Sequence, residues 1–224
     1  IYRPFGEAFL DHVERARSAY VSGLFLLRCP FDLPMDWGLA EQSLGLVCSQ
    51  PRPLPLNLLD SLRASDRPWV QVGFGGMGLR LSPQLFAQWP EQGFLMAEPF
   101  NPDERTALEQ VPNLMLLPKG LRPLDAFPYC VRHLGKPGFS TFSEAMALDV
   151  GLHVVERQGF AEVDALLAGL RNHGRHRLLS RSQLESGDWQ LDQPLQAPTE
   201  PPLPAHGALQ AAVCLIELAE QHAD

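Results

Sequence analysis

The stretch Leu134-Gly135-Lys136-Pro137-Gly138-Phe139-Ser140-Thr141-Phe142-Ser143-Glu144-Ala145-Met146-Ala147 reads as the end of a strand, a tight turn and the start of a helix. Gly135, Pro137 and Gly138 make the turn, Ser140 and Thr141 sit where the helix begins, and Glu144 falls one turn in. A helix start behind glycines collects free backbone N–H groups and the positive end of the helix dipole, which suits a phosphate. A bare capping box, with Ser140 or Thr141 as cap and Glu144 closing it, would explain the hydroxyls and the acid without any ligand. It leaves two glycines and a lysine ahead of the cap unexplained. Glu144, when not engaged in capping, is placed to accept hydrogen bonds from a ribose. No GxxxxGK[ST] sequence occurs, so ATP hydrolysis through a P-loop has no support.

Outward from this stretch, short apolar runs recur at Val70–Phe74, Phe94–Ala97, Asn113–Leu117, Tyr129–Val131, Leu152–Val155 and His176–Leu179. Helical segments lie between them, most clearly Glu104–Val111, Thr141–Leu148 and Glu162–Asn172. This alternation predicts an α/β fold, a mostly parallel sheet of about six strands with helices on both faces. Ligands of such sheets bind at the carboxyl ends of the strands. Upstream, Phe5–Tyr20 has the spacing of an amphipathic helix, Gly23–Arg28 and Gly45–Cys48 read as short strands, and Pro51, Pro53 and Pro55 as a linker. Downstream, Pro194 to Pro204 is too proline-rich for a helix, and Ala208–His222 is a final apolar helix. The expected units are 1–49, a linker over 50–68, the main α/β domain over 69–190, and a tail with a helix over 191–224.

Gly73-Phe74-Gly75-Gly76-Met77-Gly78 satisfies GxGxxG behind a strand, and Glu98 ends the next strand as a ribose-binding acid would. A dinucleotide fingerprint, however, needs its helix to start on the third glycine. Here Leu79-Arg80-Leu81 intervenes, and a helix is better begun at Ser82 with Pro83 in its first position. The glycines are the better read as a turn that touches a ligand or merely changes direction. Glu156-Arg157-Gln158-Gly159-Phe160-Ala161-Glu162 is the loop after a later strand. It is either a solvated loop with a helix-start acid, or it brings Phe160 and Glu162 to the same pocket, since adjacent strands deliver their loops to one edge. His173 and His176 lack a third ligand nearby in sequence, and no metal spacing or GxSxG occurs, so no metal site and no covalent hydrolase is expected.

The 224 residues suffice for one α/β domain plus an appendage. A formal charge of -8, with lysine only at Lys119 and Lys136, argues against a nucleic-acid partner, which needs a basic face. Cys29, Cys48, Cys130 and Cys214 form no CxxC pair and read as reduced thiols of a cytoplasmic protein. No segment is apolar for long enough to span a bilayer, and no signal peptide opens the sequence. Ile1 falls inside what reads as structure, so a longer parent chain is expected.

Taken together, Val72–Gly76, Gly135–Ala145 and the pair Glu156-Arg157 with Phe160-Ala161-Glu162 resemble the nucleotide-sugar half of GT-B glycosyltransferases. The nearest likeness is to the glycosyltransferase-like region of arabinokinases and its bacterial relatives. There a GKxGxGTxSEA motif is followed by RRxxFxEExxL and a late tryptophan, matched here by Trp189 and by His206–Ala212. The similarity runs from about Phe5 to the C-terminus and is specific in the two central motifs. It implies a Rossmann-like, doubly wound C-terminal GT-B domain carrying a remnant of the N-terminal domain over 1–49. It implies donor contacts from Gly75, Gly76, Gly138, Ser140 and Thr141 at the diphosphate, Glu144 at the ribose, and Phe160 and Glu162 near the donor sugar. It also implies a nucleotide sugar, UDP-linked, as substrate, with no cofactor. Departures are Arg132 and His133 in a strand that is usually apolar, Pro137 and Ser140 in the first motif, and Val163 in place of the second acid of FxEE.

The resemblance further implies that acceptor binding and a general base come largely from an N-terminal domain of the same chain, which makes residues 1–224 an incomplete catalyst. Two other readings stand beside it: an NAD-type domain using Gly73–Gly78 and Glu98, and a non-catalytic descendant kept as a binding module. A nucleotide-sugar epimerase on the same fold is a further alternative.

Overall fold

The structure, a computed structural model, describes residues 6–75 and 80–221. Its centre is a six-stranded sheet, every pair parallel, in the spatial order β5-β4-β3-β6-β7-β8. The strands are β3 (Trp69–Gly73), β4 (Gly93–Ala97), β5 (Leu114–Leu117), β6 (Arg132–Gly135), β7 (Gly151–Val155) and β8 (His176–Leu179). Two short strands precede them, β1 (Leu26–Arg28) and β2 (Glu41–Ser43), and form a separate parallel pair. Parallel strands need crossovers, and helices supply them. They are α3 (Pro83–Ala87), α4 (Pro102–Glu109), α5 (Pro123–Ala126), α6 (Phe139–Ala147) and α7 (Val163–His173). α1 (Leu10–Val21), α2 (Leu56–Arg63), α8 (Arg181–Ser186) and α9 (Gly207–Gln221) complete the α-helices of the described residues.

Side chains alternate between the two faces of each strand, so both faces carry an apolar core. On one, Val70, Val72, Phe94, Leu134 and Leu179 pack with Leu108 and Trp189. There Phe86, Phe94 and Trp189 meet edge to face with centroids 5.1 to 5.6 Å apart. The late tryptophan is therefore a core residue, its indole N–H given to the Leu184 carbonyl at 3.1 Å. On the other face, Leu58, Leu59 and Leu62 of α2 pack under Trp69 and Leu95, while Phe142, Leu166 and Leu170 pack over Leu152 and Val154. The segment 50–68, expected as a linker, thus contributes a core helix.

Several boundaries differ from expectation. The fourth strand lies at β6 and not at Tyr129–Val131, where a short 3-10 turn (Phe127–Tyr129) precedes it. Arg132 and His133 disguise the strand in sequence, yet the sheet gives each a partner, although His133 Nε2 stays buried without one. His133 Nδ1 meets Gln71 Oε1 across the β3–β6 pair, and Arg132 reaches His153 Nε2 at 2.6 Å. Gly45–Cys48 is not a strand. Leu46 instead exchanges hydrogen bonds with Pro204 (2.7 Å) and Gly207 (3.0 Å), which seats the start of α9 on the N-terminal segment. All four cysteines are free, Cys130 and Cys214 being buried and Cys29 and Cys48 half-buried. No helix of the described residues is long and apolar enough to cross a membrane.

Candidate functional site

The chain builds the sheet outward from β3 through β4 to β5, then returns to the other side of β3 with β6. The loops after β3 and β6 therefore leave in opposite directions and open a crevice at the carboxyl edge. Gly73 and Gly135 are register partners at the lips of that crevice. A β-carbon on Gly135 would lie 2.6 Å from the Gly73 carbonyl oxygen and overlap the His133 imidazole, so only glycine fits.

Beyond these lips the two loops touch. Gly75 has φ +56, and a β-carbon there would lie 3.4 Å from Lys136 Cε. The Lys136 side chain also turns toward its own loop, since a β-carbon on Gly138 would sit 3.8 Å from Lys136 Nζ and 3.9 Å from Thr141 Oγ1. Gly75, Lys136, Gly138 and Thr141 thus gather around one small volume. Gly76, the other glycine expected to contact a ligand, lies outside the described residues, as do Met77 and Gly78.

The α6 start differs from a capping box. The helix begins at Phe139, two residues earlier than Thr141, and its cap position is Gly138, with no side-chain cap. Ser140 and Thr141 lie inside the first turn, and Glu144 is too far along to cap. The first backbone N–H groups, those of Phe139, Ser140 and Thr141, have no intrahelical acceptor by geometry. Thr141 is half-buried and Ser140 exposed.

Two cations meet near this helix start. Burial lowers the Lys136 pKa, and the nearby Arg157 guanidinium lowers it further. Arg157 lies over the Phe160 ring at 4.0 Å from its centroid. Among the described residues neither Lys136 nor Arg157 forms an ion pair. Two cations that raise each other's energy, beside uncapped N–H groups, form a place where an anion is stabilised.

Glu144 is half-buried on the next turn. Burial raises its pKa, Arg122 opposes that rise, and Asp125 adds to it. Arg122 is not free to pair with it, because its guanidinium holds the fully buried Asp125 at 2.7 Å together with Arg52, also at 2.7 Å. Burial alone would raise the Asp125 pKa, but hydrogen bonds from Arg122 and Arg52 outweigh it and hold the carboxyl well below the usual range. This cluster ties residue 52 to the start of α5 and went unread in the sequence. The only local signal was Arg122-Pro123-Leu124-Asp125, a proline-started turn whose third residue is an acid. Phe160 packs against the core under α6 and α7, and Glu162 occupies the cap position of α7 without a side-chain cap bond.

The fold is similar to those of several solved structures. Spinosyn forosaminyltransferase SpnP superposes with a TM-score of 0.54 at 18% identity, over 75% of this chain and 44% of that one. A UDP-glucosyltransferase from Polygonum tinctorium gives 0.54 at 15% identity, over 79% and 45%. Apo UGT2 of Phytolacca americana gives 0.52 at 14% identity, over 80% and 46%. The fold is that of a GT-B C-terminal domain. The chain spans less than half the length of each of these three proteins. No family model matches it, and no curated protein matches it.

Two rival readings can be weighed on the same geometry. The first described α-helix after β3 starts at Pro83 with Ser82 in the cap position, as its sequence predicts, and Arg80–Ser82 are not helical. Glu98, the ribose acid of a dinucleotide reading, is engaged by Arg105 at 2.6 Å and Lys119 at 3.8 Å. The helix start that an NAD-type site requires, at Gly76–Gly78, lies outside the described residues, whereas the two cations on Glu98 count against a ribose there. No cluster of three metal-ligating side chains occurs among the described residues.

Proposed function

We propose that this chain is the donor-binding half of a nucleotide-sugar-dependent glycosyltransferase, nearest in kind to the glycosyltransferase-like region of arabinokinases. The observation that carries the reading is the meeting of Gly75, Lys136, Gly138 and Thr141 at the switch point, with the unpaired Arg157 alongside. In this reading the diphosphate of a UDP-sugar lies on the N–H groups of Phe139, Ser140 and Thr141. Lys136 and Arg157 neutralise the charge that develops on the leaving diphosphate as the sugar departs. Glu144, as a carboxylate, accepts from the ribose hydroxyls, and Phe160 and Glu162 stand toward the donor sugar.

Transfer also needs a base to take the acceptor proton. In this reading an N-terminal domain of the same polypeptide, packed on residues 1–49, supplies both base and acceptor site, and the protein works in the cytoplasm without a cofactor. Isothermal calorimetry with UDP, dTDP, UDP-glucose and NAD tests the first step. UDP should bind with an affinity at least tenfold above NAD, and Glu144→Ala should weaken it about tenfold, the loss of a hydrogen bond to a charged acceptor. Equal binding of NAD would favour the dinucleotide reading. Silence with every nucleotide, in a folded protein, would favour the non-catalytic module.

A further inference from the structure

A second cavity, of about 660 Å³, lies between α1, the segment 29–37 and the N-terminal ends of α6 and α7. That volume is within the roughly 300–1,000 Å³ of small-molecule sites. Its walls are aromatic and aliphatic. Phe31 packs edge-on against Phe139 and Phe142 with centroids 6.2 and 6.4 Å away, and so joins the 29–37 segment to α6. Opposite, Tyr20 of α1 stacks on Trp37 at 5.2 Å with an interplanar angle of 27°. Leu33 and Met35 line the space between these aromatic walls.

The charges on the rim are selective. Arg17, Asp32, Asp36 and Glu162 border the cavity. Arg28 neutralises Asp32 at 2.8 Å, and Arg17 stands over the Trp37 ring at 6.0 Å. Asp36 and Glu162 have no ion-pair partner among the described residues. The balance is acidic, the opposite of the Lys136–Arg157 crevice. An apolar ring entering here gains from area burial and ring stacking, whereas an anionic group would lose solvation and meet two carboxylates.

We propose that this cavity is a binding site for a small aromatic molecule that carries no negative charge. It stands on its own lining and does not depend on the nucleotide reading. Because Phe139 and Glu162 belong both to this wall and to the helix starts at the crevice, its occupant lies next to whatever the crevice holds.

Two dyes with one ring skeleton test this directly in the full 224-residue chain. N-phenyl-1-naphthylamine is neutral, and 8-anilinonaphthalene-1-sulfonate adds a single sulfonate. The neutral dye should bind saturably with one site per chain, and the sulfonate at least tenfold more weakly. Leu33→Asp should weaken the neutral dye at least tenfold while circular dichroism and the unfolding midpoint stay near those of the parent. The double substitution Asp36→Asn with Glu162→Gln should raise the affinity for the sulfonate and narrow the gap between the dyes. Equal affinity for both dyes would overturn the proposal. So would neutral-dye binding that Leu33→Asp leaves unchanged, since that would place the dye outside this cavity. Dye binding without UDP binding would leave this inference standing while the glycosyltransferase reading fell.

Discussion

At the scale of single residues, the site rests on groups whose surroundings oppose their ordinary charge. Glu144 is the clearest. Burial raises its pKa, so on acidification it loses its charge before an exposed glutamate would. If it holds a ribose as carboxylate, UDP affinity should fall as pH drops from 7 toward 5, and Glu144→Gln should flatten that profile. Calorimetry at four pH values decides this, and an unchanged profile in the variant would remove Glu144 from the ribose. Asp125 has the opposite sign. Its folded pKa is depressed, so its contribution is fully present above the ordinary aspartate pKa and is lost as pH falls below it. Asp125→Asn should cost about 2 kcal/mol at pH 7, the scale of hydrogen bonds to a charged acceptor, measured by urea unfolding. A loss below about 0.5 kcal/mol would show that the Arg52 and Arg122 contacts are solvated in solution.

At the scale of elements, α6 shows a conflict between helix stability and binding. Its cap is Gly138, at φ −165 and ψ 133, an extended geometry any residue can adopt. The nearest atoms to a β-carbon there are at 3.8 and 3.9 Å, ordinary contact distances. An aspartate at this position would cap the helix and stabilise it by a few tenths of a kcal/mol relative to glycine. It would also put a carboxylate where the diphosphate is proposed to lie. Gly138→Asp should therefore leave the melting temperature unchanged or slightly higher while weakening UDP binding at least tenfold. A large drop in melting temperature would show that the open cap has a structural cause. Gly135 behaves differently, because its β-carbon would collide with His133 and the Gly73 carbonyl. Gly135→Ala should cost roughly 1–3 kcal/mol through forced displacement of β3 and β6, also read by urea unfolding.

Across the whole molecule, the sheet carries neutral histidines in both faces. Burial lowers His133 to about 3, and it lowers His153 to about 3 with Arg132 adding to the effect. His153 gives its Nδ1 proton to the Trp189 carbonyl at 3.0 Å and accepts from Arg132 at Nε2, which leaves no place for a second proton. The unfolded chain protonates both near pH 6.5 while the native chain does not, so stability is full above pH 6.5 and declines as pH falls toward 3. The slope should approach about 2.7 kcal/mol per pH unit once both are protonated in the unfolded chain. Urea midpoints between pH 6.5 and 5 measure it, and His153→Gln should roughly halve it. A flat response over that interval would mean that these histidines are hydrated in solution.

Much of the fold was legible because its cause is local. Apolar runs at strand spacing, separated by helical segments, located five of the six central strands, and Ser82-Pro83 announced α3. The remaining strand was displaced to β6 because Arg132 and His133 look like loop residues until Gln71 meets His133 Nδ1 and His153 meets Arg132, and those partners are remote in sequence. The candidate site divides the same way. The glycine turn, Lys136 and the helix start could be read from the local sequence, since turn and helix-start chemistry is written in neighbouring residues, whereas the ribose role proposed for Glu144 leans on the family resemblance. The cap at Gly138, the meeting of Lys136 with Gly75 and with Arg157, and the Arg52–Asp125–Arg122 cluster could not. Each depends on loops that only the parallel sheet order brings to one edge. The sequence by itself determined an α/β chain with a helix start behind a glycine turn. Only the tertiary structure decided that this start sits at the β3–β6 switch point with two unpaired cations, because charge and crevice arise from segments that meet only when the sheet has closed.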